Sequence, residues 1–166
     1  MSKNTIIVIM GVSGCGKTTI GKQLSQKIDI PFYDADDFHP IENIEKMKKG
    51  ISLNSADRYP WLNLLADKIK EWNSKDGAVL ACSALKEKYR KILALNNNPI
   101  IWIFLSGSKD LIRTRIENRE DHFMDSNLLD SQFNNLEIPE YGIHIEISKS
   151  SDQIITEIVS KLNSYA

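Results

Sequence analysis

The run Gly11-Val12-Ser13-Gly14-Cys15-Gly16-Lys17-Thr18 sets three glycines, a lysine and a hydroxyl in the pattern G-x-x-x-x-G-K-[ST], the spacing that cradles nucleotide phosphates. Glycine lets the backbone curl until successive N–H groups point at phosphate oxygens, and a helix starting at once adds its N-terminal partial charge. Lys17 is placed to reach the β- and γ-phosphates, and the Thr18 hydroxyl to hold the Mg²⁺ that bridges them. The apolar run Thr5 to Met10 leads into this loop and a helical pattern, Thr18 to Ile28, leads out of it. A chance match in a chain of this size is on the order of one per cent from average residue usage. A dinucleotide turn is excluded by spacing: read from Gly14, G-x-G-x-x-G needs glycine where Thr19 stands and gives Lys17 no place.

A second group follows the run Pro31 to Asp34. Asp34, Asp36 and Asp37 crowd together there, with His39 close behind. Crowded carboxylates repel, so the arrangement makes sense where a cation lies nearby or one of them holds a hydroxyl. If the chain stays extended, Asp34 and Asp36 share a face; these two are read as functional, and Asp37 as the cap of a helix beginning near Pro40. Farther on, Arg113 and Arg115 lie on a short helix before the polar segment Asn118 to Phe123. Arg115 and Arg119 are like charges at i,i+4, a pairing that costs ~0.2–0.5 kcal/mol unless compensated. Either Glu117 and Glu120 screen them or a phosphate sits between.

The elements that must position these groups emerge from the apolar pattern. Thr5 to Met10, Pro31 to Asp34, Ala78 to Cys82, Ile100 to Leu105 and Gly142 to Ile147 read as strands. The first and fourth are almost continuously apolar, as in a parallel sheet covered on both faces, while the last alternates like an edge strand. Helical faces run through Trp61, Leu65, Ile69 and Trp72, and through Ile154, Ile155, Ile158, Val159 and Leu162. Alternating strands and helices predict a three-layer α/β fold with right-handed crossovers, its ligands beyond the carboxyl ends of the strands. The 166 residues fit one domain, and 42% hydrophobic with 26% charged residues is ordinary globular composition. A net charge of −1 excludes a general electrostatic hold on nucleic acid or an anionic membrane. No apolar run approaches the ~20 residues that span a bilayer, and Ile6 to Met10 is too short for a secretory signal. The chain is expected to be cytoplasmic, with Cys15 and Cys82 as free thiols.

Taken together the motifs resemble the gluconokinases, small P-loop carbohydrate kinases grouped with the shikimate kinases. The resemblance runs from the first strand to at least Pro139. It rests on Gly11 to Thr18, on Asp34-Ala35-Asp36-Asp37-Phe38-His39-Pro40 with Asn43 to Met47, and on Asp57-Arg58-Tyr59-Pro60-Trp61-Leu62. It also takes in Cys82-Ser83-Ala84-Leu85-Lys86, Tyr89-Arg90, Arg119, His122-Phe123, Ser131-Gln132-Phe133 and Leu136-Glu137. Two features depart from that pattern: Asn54-Ser55-Ala56 carries no acid before Asp57, and a hydrophobic run ending in aspartate after the third strand is missing. The resemblance implies a P-loop NTPase fold with a five-stranded parallel sheet, like the nucleoside-monophosphate kinases, with a lid at about 113–136. It implies ATP-dependent, Mg²⁺-assisted phosphorylation of D-gluconate to 6-phosphogluconate.

For ATP it implies Gly11 through Gly16, Lys17, Thr18, Thr19, Arg115 and Arg119; for the metal, Thr18 and Asp34. For the acceptor it implies Asp36, His39, Arg58, Ser83, Arg90 and His122. Lys17, Asp36 and Arg119 would act on the reacting groups, and Arg58 is the favoured anchor for the acceptor's carboxylate because a guanidinium fork takes an anion bidentately. A different acceptor such as shikimate is the nearest rival reading. A GTP-binding switch is the rival from another class, but Asn73-Ser74-Lys75-Asp76 has serine where Asn-Lys-x-Asp needs lysine. A homodimer is left open.

Overall fold

The computed structural model describes residues 2–95, 99–118 and 126–165. Five strands, β1 (Ile6–Met10), β2 (Phe32–Asp34), β3 (Ala78–Ala81), β4 (Ile100–Ser106) and β5 (Ile143–Glu146), form one sheet in the order β2-β3-β1-β4-β5. Every pairing is parallel, so the five expected strands and their all-parallel arrangement are found. β1 is the middle strand, and its five side chains are 0% exposed, which is why the sequence there carries no polar residue.

The helices are α1 (Lys17–Ile28), α2 (Ile41–Lys48), α3 (Ser55–Asn73), α4 (Glu87–Leu93), α5 (Lys109–Glu117), α6 (Ser126–Asn135) and α7 (Ser151–Tyr165). They divide between the two faces of the sheet. Ile7 and Ile9 point into a cluster with Ile20 and Leu24 of α1, Ile112 and Ile116 of α5, and Ile154, Ile158 and Leu162 of α7. Ile6, Val8 and Met10 point the other way, onto Leu62, Leu65 and Ile69 of α3 and Tyr89 and Leu93 of α4. Burying one such side chain is worth ~1.5–3 kcal/mol, so the strand that feeds the glycine-rich loop is held from both sides. β5 is one of the two edges, with Ile143 and Ile145 buried and His144 and Glu146 exposed, as its alternation requires.

Two expectations are corrected around residues 34–41. The chain does not stay extended after Asp34: residues Ala35–Phe38 make a short 3-10 helix, capped by the Asp34 carboxylate, which accepts from the Asp36 backbone N–H. Nor does Asp37 cap the next helix. Pro40 holds the N-cap position of α2, without a side-chain cap. The 3-10 turn intervenes because Asp34 bonds its own backbone two residues on, a habit of aspartate that competes with extended structure. At α3, Asn54 and Asp57 form a reciprocal capping box, so Asn54, one of the residues in the stretch that lacks an acid, serves the backbone.

Candidate active site

The chain at the carboxyl ends of β1, β2 and β3 opens onto one cleft of about 600 Å³. From the end of β1 the chain turns at Gly11, whose N–H reaches Ser83 O at 3.3 Å, and curls back to α1. Gly14 takes φ +81°, and a Cβ built there would meet Ile116 Cγ1 at 2.6 Å. Only glycine fits that approach, since both the left-handed backbone and the space forbid a side chain. Gly16 occupies the N-cap of α1 with no side-chain cap and no acid in the first turn. The first amides of the helix are therefore left without an intrahelical partner, which is what an anion requires.

Ser13, Gly14, Gly16, Lys17, Thr18 and Thr19 line the cleft. Val12 and Cys15 instead pack under the loop, 2% and 1% exposed; with Gly11 they are absent from the cleft wall and support its shape. Lys17 Nζ donates to Val12 O at 3.0 Å. Thr18 Oγ1 donates to Asp34 Oδ2 at 3.0 Å, while Asp34 Oδ1 accepts from Asp36 N at 3.0 Å. One carboxylate thus ties the start of α1 to the turn after β2.

Across the cleft, Asp36, His39, Arg58 and Ser83 converge on the same space. The Asp36 side chain is 59% open, but it opens into the cleft rather than bulk solvent. Desolvation there, with Asp34 and Asp37 adding to it against the pull of Lys17, pushes its pKa up to about 6. The His39 ring stacks on Trp61 at 3.9 Å, and Trp61 Nε1 donates to Ala35 O at 2.7 Å. Burial first, and then Arg58, lowers His39 to about 4. Arg58 donates to Leu53 O at 2.7 Å and lies over the Tyr89 ring with Cζ 5.4 Å from its centre. It does not pair with Asp57, whose carboxylate is taken by Lys46 at 2.9 and 3.0 Å. The guanidinium nitrogen that meets Leu53 O also lies 3.5 Å from Tyr89 Oη, and Arg58 lines the cleft.

Arg90 is a correction. Although it sits in a family-like motif, it is 2% exposed and absent from the cleft wall. It donates to Ala84 O at 2.7 Å, Glu137 O at 2.8 Å and Tyr141 Oη at 2.9 Å, and pairs with Glu87 at 3.1 Å. It ties α4 to the chain after α6, which is a structural task. Arg115 does line the cleft, and donates to Ile147 O at 2.7 Å. Arg119 and His122 lie outside the described residues.

Sequence reasoning missed part of the wall. Met47, Ile51, Leu53 and Leu128 give the cleft an apolar flank, and Ser131 and Gln132 of α6 reach it as well. Gln132 Oε1 accepts from Ser13 N at 2.6 Å, and Ser52 bonds Ser131 at 2.9 Å. The signal for α6 in the sequence is the string Ser131-Gln132-Phe133. Both cysteines are free and buried; burial raises both thiols, Cys82 to about 12, so neither offers a thiolate. Among the described residues no group of three His, Cys, Asp or Glu is arranged to hold a metal, and no helix is long and apolar enough to cross a membrane.

Known proteins share this sequence and fold. The pattern for the family described as shikimate kinase matches residues 13–163. A probable gluconokinase of Dictyostelium discoideum is 47% identical over 171 residues, covering 95% of this chain and 86% of that one. The gluconokinase of Gluconobacter oxydans (strain 621H) is 40% identical over 161 residues, covering 95% and 90%. A solved gluconokinase structure from Sinorhizobium meliloti 1021 superposes with a TM-score of 0.90 at 34% identity, covering 100% of this chain and 95% of that one. Shikimate kinase of Aquifex aeolicus, 17% identical with a TM-score of 0.62, shares the fold.

Proposed function

We infer that this chain, which belongs to the shikimate kinase family and within it to the gluconokinases, transfers the terminal phosphoryl group of ATP to D-gluconate. The products are 6-phospho-D-gluconate and ADP. The observation that carries the reading is the single cleft joining the 11–18 loop to Asp36, His39 and Arg58, because a kinase must bring donor and acceptor into one water-poor space.

The amides at the start of α1 and of the loop receive the phosphates, and Lys17 exchanges Val12 O for a phosphate oxygen. Asp36 takes a hydrogen bond from the acceptor's terminal hydroxyl and accepts its proton; a pKa near 6 suits a base working near neutrality. Arg58 receives the gluconate carboxylate at the far end of the acceptor, and Ser83 offers a hydroxyl between the two substrates. Arg115 reaches the phosphates from α5. Thr18 and Asp34 suit Mg²⁺, a hard cation that takes hydroxyl and carboxylate oxygens and keeps several waters; their oxygens already meet at 3.0 Å beside the loop. When bound, that ion offsets the charge of the phosphates. We propose the cytoplasm as the place of this work, where ATP is supplied and thiols such as Cys15 and Cys82 stay reduced.

The test is ADP release measured over a panel of sugar acids, polyols, shikimate and nucleoside monophosphates. Gluconate is expected to give the highest kcat/KM. ADP release driven by shikimate and not by gluconate would reverse the choice of acceptor.

A further inference from the structure

Asn43 is a polar residue buried to 3% exposure. It lies behind the cleft wall, in the first turn of α2, and nothing in the phosphoryl transfer above uses it. Its Nδ2 is 2.9 Å from Asp57 O and 3.1 Å from His39 Nδ1. A backbone carbonyl only accepts, so the amide atom facing Asp57 O is the NH₂ nitrogen and not the amide oxygen. That nitrogen has no lone pair to offer, so the hydrogen bond to the imidazole runs one way, into His39 Nδ1. A ring that accepts at Nδ1 is neutral and carries its hydrogen on Nε2.

The Nε2–H edge looks toward Asp36, whose Oδ1 is 3.7 Å away. This is too long for a direct hydrogen bond, but an oxygen seated ~2.8 Å from each would fit between them. Stacking on Trp61 at 15° between the planes stops the ring from tilting out of that line. We propose that Asn43 is a positioning residue that holds His39 in its Nε2–H form, so that His39 and Asp36 together grip one acceptor hydroxyl. The imidazole donates to the hydroxyl oxygen and the carboxylate accepts its O–H. A protonated amine, which only donates, or an ether oxygen, which only accepts, satisfies only one side of this pair. The low pKa of His39, about 4, agrees with a ring that stays neutral. The catalytic half of the proposal rests on the kinase reading; the tautomer does not.

The experiment therefore has two arms. The first records ¹⁵N spectra of histidine-labelled protein without ligands, using His39→Gln to assign the ring among the three histidines of the chain. His39 is expected to show an unprotonated Nδ1 and a protonated Nε2. Asn43→Asp, whose carboxylate accepts rather than donates, is expected to reverse the two. A wild-type ring protonated on Nδ1 overturns the proposal. The second arm measures kinetics: Asn43→Asp should lower kcat/KM for gluconate by roughly 10- to 100-fold while leaving the KM for ATP within about twofold. A reversed tautomer with unchanged gluconate efficiency overturns the grip. Should Asn43→Asp not fold, His39→Gln and His39→Leu decide, since glutamine retains a donor; the grip is overturned if the two are equally impaired. Absence of gluconate phosphorylation in the wild type strikes the kinase reading instead and leaves the spectra to judge the tautomer.

Discussion

On the nucleotide side of the cleft, the loop, the lysine and the hydroxyl come from one unbroken run, residues 11–18, between a fully buried strand and a helix. On the side we propose for the acceptor, Asp36, His39, Arg58 and Ser83 come from three separated segments. The flank beside them includes Ile51, which is 48% exposed. The difference follows from what each side must recognise. Phosphate is met by backbone amides that local glycines can aim, whereas an acceptor of particular shape and charge needs side chains that only tertiary packing can assemble. Changes on the first side should therefore abolish turnover for every acceptor, and changes on the second should alter which acceptor is used.

The largest expected effect is on the nucleotide side. Lys17→Ala should cut turnover on the order of 10³-fold with the same loss for gluconate and any weaker acceptor. The thermal midpoint should barely move, since the side chain's bond in the folded protein is to Val12 O. Rates and a melting curve on one preparation check both parts. Next comes the proposed base: Asp36→Asn is expected to lower kcat on the order of 10²-fold or more. It should also remove the acid limb of the rate profile, which in the wild type rises with pH through about 6 as the carboxylate ionises.

The two arginines sharpen the comparison further. Arg58→Lys should lower gluconate kcat/KM roughly tenfold and narrow the preference for gluconate over the corresponding uncharged polyol, with ATP affinity unchanged. A variant that keeps its preference for the anion would move the carboxylate site elsewhere. Arg90→Met is expected to do the opposite. It leaves Ala84 O and Glu137 O without their donor, at ~1–3 kcal/mol for a buried group left unpaired. Urea denaturation should register that loss while acceptor preference stays intact.

The smallest effect is on stability against pH. Asp36 rises from 3.8 to about 6 on folding, so in that window the folded state holds a proton the unfolded chain has released, and stability falls as pH rises. His39 drops from 6.5 to about 4; there the unfolded chain holds the extra proton and stability climbs as pH rises. These two contributions offset each other between about pH 4 and 6. Asp36→Asn should leave the His39 part alone, a stability that increases with pH up to about 6.5, and denaturation midpoints across that range measure it.

What the sequence made legible divides along the same line. The strands stood out because β-branched runs such as Ile6–Met10 have no other use, and the phosphate loop because its chemistry depends on neighbours in the chain. Arg58 is favoured over Arg90 in the sequence, but no local signal marks Arg90 as structural. They are the same residue type in equally family-like strings, and only the packing of Tyr141, Glu87 and two carbonyls around Arg90 separates them. The turn at 35–38 was hidden because a carboxylate bonding two residues ahead leaves no periodic trace. The apolar flank was hidden because Met47, Leu53 and Leu128 meet only in three dimensions.

The central place of β1 bears on how the chain reaches this fold during synthesis. Its hydrogen-bonding partners on either side are residues 78–81 and 100–104, so an Ile-Ile-Val-Ile-Met segment emerges from the ribosome long before either exists. Until then it is a bare, uncharged, β-prone stretch, the kind that adheres to its own copies. Such far-apart pairings also make closure of the sheet slow. Yield of the active protein should therefore depend more on translation speed and chaperone supply than its finished stability would suggest.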